Sequence, residues 1–399
     1  MEIIAQENLE QILEELEASR EDLQKFSRNQ RIRKLDHALA QWLAGAPSFH
    51  LACTDVADAT GYAPGAVEVS LRRTLTAWRA PHLEKVIAEA ESAPGNHQPP
   101  RLVAAIMAQN TPGLAIPPVV LSLALGAPLL LKSAAGEPHL ARHLLRLLNE
   151  TCPELGQACR EVYWAGGSVE IEKFVAATID RVLVYGGEET IAHWQSLARP
   201  RVLAHGPRVS VALVGEATSD AEVDALAEQI ALLDQRGCLS PQAILISSQV
   251  DIPAIGARLE KALVELQRKW PRRALPGAEA TDFREAVDAA EIAVAAGRSQ
   301  AFRGGHAAGF GIEVTMEPTI QPSPLDRMIR LHPYESASEL AAQLRPLRDK
   351  LECIGVAGTP PDVRVLQSSG ARRICAVGDM QNPPAAWHPV APWFVSSID

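Results

Sequence analysis

The sequence is poor in cysteine and has no excess of positive charge. Six cysteines are spread over 399 residues, which excludes a dense disulfide framework and favours reduced thiols in the cytosol. Lys and Arg number 38 against 48 Asp and Glu, so the net charge is −10, whereas nucleic-acid-binding proteins usually carry a basic surface. The first residues are acidic where an export signal is basic. We therefore expect a cytoplasmic protein without a nucleic-acid partner.

A long uncharged stretch, residues 102–131, lacks the unbroken helical pattern of a membrane span. It contains four prolines, and helix interiors tolerate proline poorly. The pattern instead predicts a strand at 102–108, a helix at 117–125 and a second strand at 128–132. Such an apolar β–loop–α–β unit is typical of a buried parallel sheet. We predict a soluble protein with no membrane span.

Strands and helices alternate along the rest of the chain, which predicts an α/β fold with a doubly wound, mostly parallel sheet. A chain of 399 residues also exceeds what one hydrophobic core usually holds. We therefore predict two domains and a tail, with limits at 1–210, 211–377 and 378–399. Further strands are predicted at 162–164, 181–185, 209–214 and 243–247. A helix capped by Asp220 is predicted before the nucleophile candidate described next.

Cys238 is the most informative thiol. It follows a glycine at the end of an amphipathic helix and precedes an apolar strand, where free backbone amides could stabilise a thiolate or an oxyanion. The alternative is a small buried hydrophobe, the usual role of a free cysteine. A zinc site is a less favoured hypothesis than a catalytic Cys238, because the potential ligands do not have zinc-finger spacing. We therefore expect no metal. Those potential ligands are His139, His143, Cys152 and Cys159.

The segment Gln235–Gln242 resembles the nucleophile motif of the LuxC-type acyl reductases. These are the fatty acyl reductases of bacterial luminescence, a branch of the aldehyde dehydrogenase superfamily. Other stretches between about residues 100 and 380 resemble the superfamily in the same order. The resemblance implies an aldehyde-dehydrogenase-like fold, with a Rossmann-like NAD(P)-binding domain in the first half and a catalytic α/β domain carrying Cys238 in the second.

The resemblance also implies roles for residues outside the cysteine motif. Asn110 lies in the Asn-bearing loop and would donate its side-chain amide to the developing oxyanion. Lys132 ends a strand and would meet the adenosine ribose of the cofactor, while the turn after residue 185 would cover the nicotinamide nucleotide. The full set of implied cofactor-binding residues is Thr111, Lys132, Ser133, Gly186, Gly187 and Glu188.

The activity implied by the resemblance is reduction of an acyl thioester to the aldehyde by NADPH, through an acyl-cysteine intermediate. NADH is the alternative reductant, and the donor is acyl-CoA, fatty in type, or an acylated protein. Oxidising aldehyde dehydrogenases carry a Glu-Leu-Gly-Gly segment whose glutamate activates water, but the corresponding stretch at 203–207 has no carboxylate. Within it, His205 is a candidate for proton transfer, and the alternative is a structural histidine.

Two other functions remain open at this point. The chain could be a catalytically degenerate or acyl-carrying structural paralogue, or a short-chain CoA-acylating aldehyde dehydrogenase that works in the opposite direction. The order of Asn110, Lys132 and Cys238 favours a working reductase. We also expect a homo-oligomer.

Overall fold

The computed structural model describes residues 4, 6–92, 99–108, 111–197, 201–360 and 362–387. The chain forms two compact units. The first contains the described residues up to Thr60, then Val67–Pro207, then the described residues from Pro383 onward. The second contains Gly61–Ala66 and Arg208–Asn382. Within the described ranges, no helix is long and apolar enough to cross a bilayer.

The first unit begins with helices whose apolar faces are buried. In α1 (Gln6–Gln24), Leu9, Leu13 and Leu16 recur at helical spacing and pack into the core around the first sheet. The next helix, α2 (Arg28–Leu43), starts at Ser27, which forms a capping box with Gln30. The remaining helices of this region are α3 (Pro47–Thr60), α4 (Pro64–Ala77) and α5 (Ala80–Glu91).

A five-stranded parallel sheet forms the centre of the first unit, with strand order β3-β2-β1-β4-β5. Its strands are β1 (Val103–Ile106), β2 (Leu129–Lys132), β3 (Cys159–Val162), β4 (Arg181–Tyr185) and β5 (Arg201–His205). Its helices are α6 (Ile116–Leu125), α7 (His139–Thr151), α8 (Pro153–Gly156), α9 (Val169–Thr178) and α10 (Glu188–Ser196), and a short 3₁₀ helix covers Ala385–Trp387. The uncharged stretch thus forms β1, α6 and the start of β2, as predicted.

One strand prediction in this unit is wrong. We predicted a strand at 162–164, but β3 spans Cys159–Val162. Its neighbour β2 ends at Lys132, which is paired with Val162, so the ladder has no partner beyond that point. Trp164 instead turns its indole Nε1 toward Glu172 Oε1, at 3.2 Å.

The second unit contains a seven-stranded sheet with order β12-β11-β6-β7-β10-β9-β8, parallel except for the β8–β9 pair. Its strands are β6 (Val209–Val214), β7 (Pro241–Ser247), β8 (Ser299–Gly305), β9 (Phe310–Thr315), β10 (Met328–Tyr334), β11 (Leu351–Ala357) and β12 (Arg373–Ala376). Its helices are α11 (Asp220–Ala231), α12 (Ile252–Lys269), α13 (Gly277–Ala295), α14 (Ala337–Leu344) and α15 (Val363–Ser368). Short 3₁₀ helices cover Leu232–Gln235, Arg345–Leu347 and Val377–Asp379. The mostly parallel α/β class is confirmed.

Two details differ from the sequence-based expectation. Helix α11 is capped by Ser219, which forms a capping box with Glu222, so the predicted cap at Asp220 is one residue late. The segment Gly61–Ala66, expected in the N-terminal domain, belongs to the second unit. Its Tyr62 is 5% exposed, and burial raises the pKa of its phenol. Tyr62 lies in the three irregular residues before α4, and so short a segment has no periodic pattern by which it could be assigned to a unit.

Candidate active site

A recess in the first unit lies where β1 and β2 end and α6 and α7 begin. Thr111 and Ser133, two of the predicted cofactor-binding residues, both line it. Glu137 also lines it and accepts hydrogen bonds from the backbone N–H groups of His139 (2.8 Å) and Leu140 (2.9 Å) at the start of α7. Burial raises the pKa of Glu137, and these hydrogen bonds oppose that shift. The recess is therefore a partly apolar site with a few fixed polar groups.

Lys132 ends β2, and its ammonium lies against two aromatic rings. Its Nζ is 5.6 Å from the centre of the Tyr163 ring and 5.9 Å from that of Trp164. Burial lowers the pKa of Lys132, and the negative charge of Glu172 opposes this shift. Glu172 is itself buried and pairs with His193 Nε2 at 2.8 Å. The ammonium thus lies near the end of β2, beside two aromatic rings that follow the adjacent strand β3.

Gly186 and Gly187, two of the predicted cofactor-binding residues, connect β4 to α10. Gly187 is the N-cap of α10, and a Cβ placed there would meet nothing within 4 Å. A ligand can therefore approach this backbone closely. Glu188 and Glu189 occupy the first turn of the helix, where their charge complements the helix dipole. The same carboxylates would repel an anionic group at this position.

His205 ends β5 and stacks on the ring of Tyr185. The ring centres are 4.7 Å apart and the planes are inclined by 15°. The backbone N–H of Gly186 donates to the carbonyl of His205 at 3.2 Å, which ties the end of β5 to the turn before α10. His205 therefore belongs to the same strand-end cluster as the two glycines. Asn110, the predicted oxyanion donor, lies outside the described residues.

Cys238 lies in the second unit, on a loop that follows an unusual backbone segment. Between α11 and the loop, Leu233, Asp234 and Gln235 have φ values of 56°, 50° and 63°. Residues with side chains rarely adopt this left-handed conformation, and each one costs on the order of 1 kcal/mol or more. Three in succession persist only when the surrounding structure holds them.

A second left-handed segment, Leu325–Arg327, holds the first, and the two are joined by buried ion pairs. The backbone N–H of Asp326 donates to the carbonyl of Asp234 at 3.0 Å. Arg327 Nε donates to Asp234 Oδ1 at 2.6 Å, and both side chains are almost completely buried. Arg236, two residues before Cys238, donates twice to the Asp326 carboxylate, at 2.9 and 2.8 Å. We did not predict these four charged residues, because about 90 positions separate the partners.

The loop that carries Cys238 is itself held by neutral hydrogen bonds. Gln235 Nε2 donates to the carbonyl of Pro241 at 2.8 Å, and Ser240 Oγ donates to Gln381 Oε1 at 3.0 Å. Ser210 Oγ donates to the carbonyl of Cys238 at 2.7 Å. The backbone of the loop is therefore fixed on both sides of the cysteine.

Cys238 is the most accessible of the six cysteines. Cys53, Cys152, Cys159 and Cys353 are buried and Cys375 is half-buried, whereas Cys238 is exposed. Although solvent reaches the residue, desolvation by the surrounding protein raises the pKa of its thiol to about 12. The charge of Glu352 adds to this effect, while the cysteine's own backbone N–H and Arg208 oppose it. The residue is therefore open to solvent, and its raised pKa favours the protonated thiol at neutral pH.

The predicted zinc alternative has a different structural explanation. His143 Nε2 lies 2.7 Å from Asp55 Oδ2, and Cys152 and Cys159 are buried thiols. Burial raises the pKa of both thiols. Within the described part of the chain, no group of three or more His, Cys, Asp or Glu is arranged to hold a metal ion.

The fold is that of the aldehyde dehydrogenases. An NAD-dependent aldehyde dehydrogenase from Sinorhizobium meliloti matches with a TM-score of 0.73 and 14% identity, covering 94% of this chain and 80% of that one. Glyceraldehyde-3-phosphate dehydrogenase from Methanocaldococcus jannaschii, complexed with NADP, matches with a TM-score of 0.73 and 11% identity, covering 94% and 87%. Aldehyde dehydrogenase 21 from Physcomitrella patens, in complex with succinate, matches with a TM-score of 0.72 and 13% identity, covering 96% and 84%.

Within this class, the family described as acyl-CoA reductase (LuxC) matches residues 4–388. The chain therefore belongs to the LuxC acyl-CoA reductase family and is an oxidoreductase. None of the curated proteins matches the sequence. The resemblance seen at Gln235–Gln242 is thus confirmed over nearly the whole chain.

Proposed function

We propose that this protein reduces an acyl-CoA, fatty in type, to the aldehyde with NADPH, through a covalent intermediate on Cys238. The observation that carries the proposal is the contrast between Cys238 and the other thiols. It is exposed, it lies on a loop whose backbone is fixed, and it lies in the segment Gln235–Gln242 that resembles the nucleophile motif of the family. A structural cysteine needs neither exposure nor a fixed backbone.

The first half of the proposed reaction is acyl transfer between two sulfur atoms. Cys238 attacks the thioester carbonyl, the bond from the acyl carbon to the CoA sulfur breaks, and the acyl group remains on the enzyme. Exchange of one thioester for another is nearly neutral in free energy, and the product is an activated carbonyl. We propose the backbone N–H of Cys238 and the side chain of Asn110 as the oxyanion donors.

The second half needs a reduced nicotinamide, which supplies hydride to the acyl carbon and releases the aldehyde. Two features of the first unit fit such a cofactor. Lys132 offers a positive charge at a strand end, suited to ribose hydroxyls or a 2′-phosphate, and Gly187 leaves open space at the start of α10. Thr111, Ser133, Gly186 and Glu188 complete the proposed binding set. We propose NADPH, with NADH as the alternative.

The carboxylates near this site make the choice of cofactor testable. Glu172 beside Lys132 and Glu188 on α10 each disfavour an additional phosphate in their neighbourhood. If the attraction of Lys132 for the 2′-phosphate is stronger than the repulsion by Glu172, NADPH binds more tightly than NADH. If the repulsion is stronger, NADH binds more tightly. Titration of the protein with each nucleotide, followed by fluorescence quenching, measures this directly.

The experiment that tests the proposed function is acylation without reductant. Purified protein incubated with a long-chain acyl-CoA should gain one acyl mass on the peptide that contains Cys238 and release one equivalent of CoA. Cys238→Ala should lose the adduct and the turnover, whereas Cys375→Ala, at the half-buried thiol, should keep both. Labelling confined to another cysteine would overturn the assignment. Absence of any adduct or turnover with short and long acyl chains would favour a degenerate paralogue.

A further inference from the structure

Charged residues lie at the amino ends of β6, β11 and β12, beside the loop that carries Cys238. Glu352 Oε2 lies 3.6 Å from Arg208 Nε and 3.6 Å from Arg372 Nη1. The Glu352 side chain is 6% exposed, whereas those of Arg208 and Arg372 are 23% and 41% exposed. A buried carboxylate thus lies beneath two arginines that solvent can reach.

A β-bulge brings this carboxylate next to the residue that holds Cys238. Val209 pairs with Leu351 and Val211 pairs with Ile354, so β11 has one extra residue here. Glu352 and Cys353 together lie opposite Ser210, the residue whose hydroxyl binds the Cys238 carbonyl at 2.7 Å. Bulges redirect side chains and recur beside active sites. The bulge therefore places Glu352 opposite the residue that holds the backbone of Cys238.

The hydrogen bonding of Glu352 is incomplete. Its Oε2 is buried, and none of the described groups donates a hydrogen bond to it; both arginine contacts are longer than a hydrogen bond. Burial raises the pKa of the Glu352 carboxyl, and Arg372 and Arg208 oppose that shift. A buried carboxylate whose oxygen is not committed to a donor is a good proton acceptor.

The Cys238 thiol must lose its proton to act as the proposed nucleophile. Desolvation raises the pKa of the Cys238 thiol to about 12, so the protonated thiol prevails at pH 7. The thiolate is the nucleophile, so the proton must be removed as the sulfur attacks. The 203–207 stretch carries no carboxylate, whereas Glu352 lies opposite Ser210, whose hydroxyl binds the Cys238 carbonyl. The charge of Glu352 also contributes to the raised pKa of the thiol.

We propose that Glu352 accepts the proton of Cys238, directly or through one bridging water, and returns it to the leaving CoA sulfur. This inference rests on the proposed function. The S–H bond of Cys238 breaks and an O–H bond forms on Glu352. The sulfur bonds to the acyl carbon, the bond to the CoA sulfur breaks, and the CoA thiolate takes the proton from Glu352. The carboxylate is then restored, with no oxidant or reductant consumed.

The two arginines fit this exchange because the charge of the cluster stays constant. While Glu352 is ionised, its charge is compensated by Arg208 and Arg372. When it holds the proton, the negative charge is on sulfur, and Arg208 still favours the ionised thiol. Moving a charge within a preorganised cluster costs less than creating one in a buried site.

The test is the pH dependence of acyl transfer in a single turnover, with acyl-CoA and no reductant, followed by CoA release. Glu352→Gln should lower the rate at pH 7 by about 10²–10⁴-fold, the usual contribution of a general base. The remaining rate should rise tenfold per pH unit, because hydroxide then generates the thiolate. The wild type should reach its plateau at much lower pH.

The matched control is Glu313→Gln. Glu313 is also buried in the second sheet, where it pairs with Arg330 at 3.0 Å and accepts from Ser299 at 2.6 Å. This variant should keep the wild-type pH profile, and thermal unfolding of both variants compares their folds. Glu352→Asp keeps a carboxylate and should recover part of the rate with its plateau retained.

Three outcomes would overturn the role of Glu352. One is a Glu352→Gln rate equal to wild type at pH 7. Another is a loss of the same factor at every pH, as a structural defect would produce, and the third is unfolding of both Glu352→Gln and Glu352→Asp. In each case an acyl adduct on wild-type Cys238 would leave the proposed function intact. A wild type that forms no adduct would instead remove the proposed function itself.

Discussion

The two units present their candidate residues in contrasting ways. In the first, Lys132, Gly187 and His205 lie at the ends of short parallel strands, each held by neighbours from the same or the next strand. In the second, Cys238 lies on a loop that depends on Asp326 and Arg327, about 90 residues further along the chain. A strand end positions a side chain through the regular geometry of the sheet, whereas a strained loop needs specific distant partners.

The largest expected effect follows from breaking the buried pair between Asp234 and Arg327. Arg327→Met should lower the free energy of unfolding by about 3–5 kcal/mol, because it leaves the Asp234 carboxylate buried without its partner. Urea unfolding measures this change. The matched control is Arg303→Met, whose pair with Glu260 is about one-third exposed and should contribute at most about 1 kcal/mol. Equal losses of unfolding free energy in Arg327→Met and Arg303→Met would show that the buried pair stabilises the protein no more than the exposed pair does.

The next prediction concerns the missing carboxylate in the first unit. With aldehyde and NADP⁺ but no CoA, free acid should form slowly, because residues 203–207 offer no carboxylate to activate water. Added CoA should raise reverse turnover at least about 10²-fold, with acyl-CoA as the product. Product analysis by liquid chromatography distinguishes the two. Rapid acid production without CoA would indicate an oxidising dehydrogenase.

His205→Ala extends that measurement to the histidine stacked on Tyr185. If His205 transfers a proton during reduction, acyl-CoA reduction falls while acylation of Cys238 continues at its normal rate. If its role is only to stack on the tyrosine ring, both rates stay unchanged after correction for the fraction folded. His37→Ala, at an exposed histidine on α2 of the same unit, is the comparison variant.

The smallest effect is expected at Lys132. Lys132→Ala should raise the dissociation constant of NADPH about tenfold or more, since a charge-assisted contact contributes about 1.5–3 kcal/mol. Lys173→Ala, at an exposed lysine on α9 of the same unit, should leave the constant unchanged. Equal binding by wild type and Lys132→Ala would remove this residue from the proposed cofactor site.

Sequence patterns predicted the elements that depend on local or periodic signals. The limits of β4 (Arg181–Tyr185) and β6 (Val209–Val214) are those expected, because each is a short apolar run bounded by turn residues. Helix α6 was predicted to within one residue, because its prolines stand in the first turn, where helices accept them. The motif around Cys238 was sufficient to indicate the family.

What could not be predicted depends on contacts between distant positions. Nothing near Asp234 or Glu352 in the sequence indicates that one meets Arg327 and the other lies between Arg208 and Arg372. The bulge in β11 is equally hidden, since it appears only when β11 is aligned with β6. Single acidic residues in apolar segments are the signal that was present, but their partners become visible only in three dimensions.

The two left-handed segments also have an evolutionary consequence. Replacing Asp234 alone or Arg327 alone leaves a buried charge without its ion-pair partner. Sequence change at these positions should therefore proceed by paired exchange, with most single-step intermediates lost to selection. Across related chains, we expect Asp234 to vary together with Arg327, while Ser240 and Gln381, joined by a neutral hydrogen bond, drift more independently.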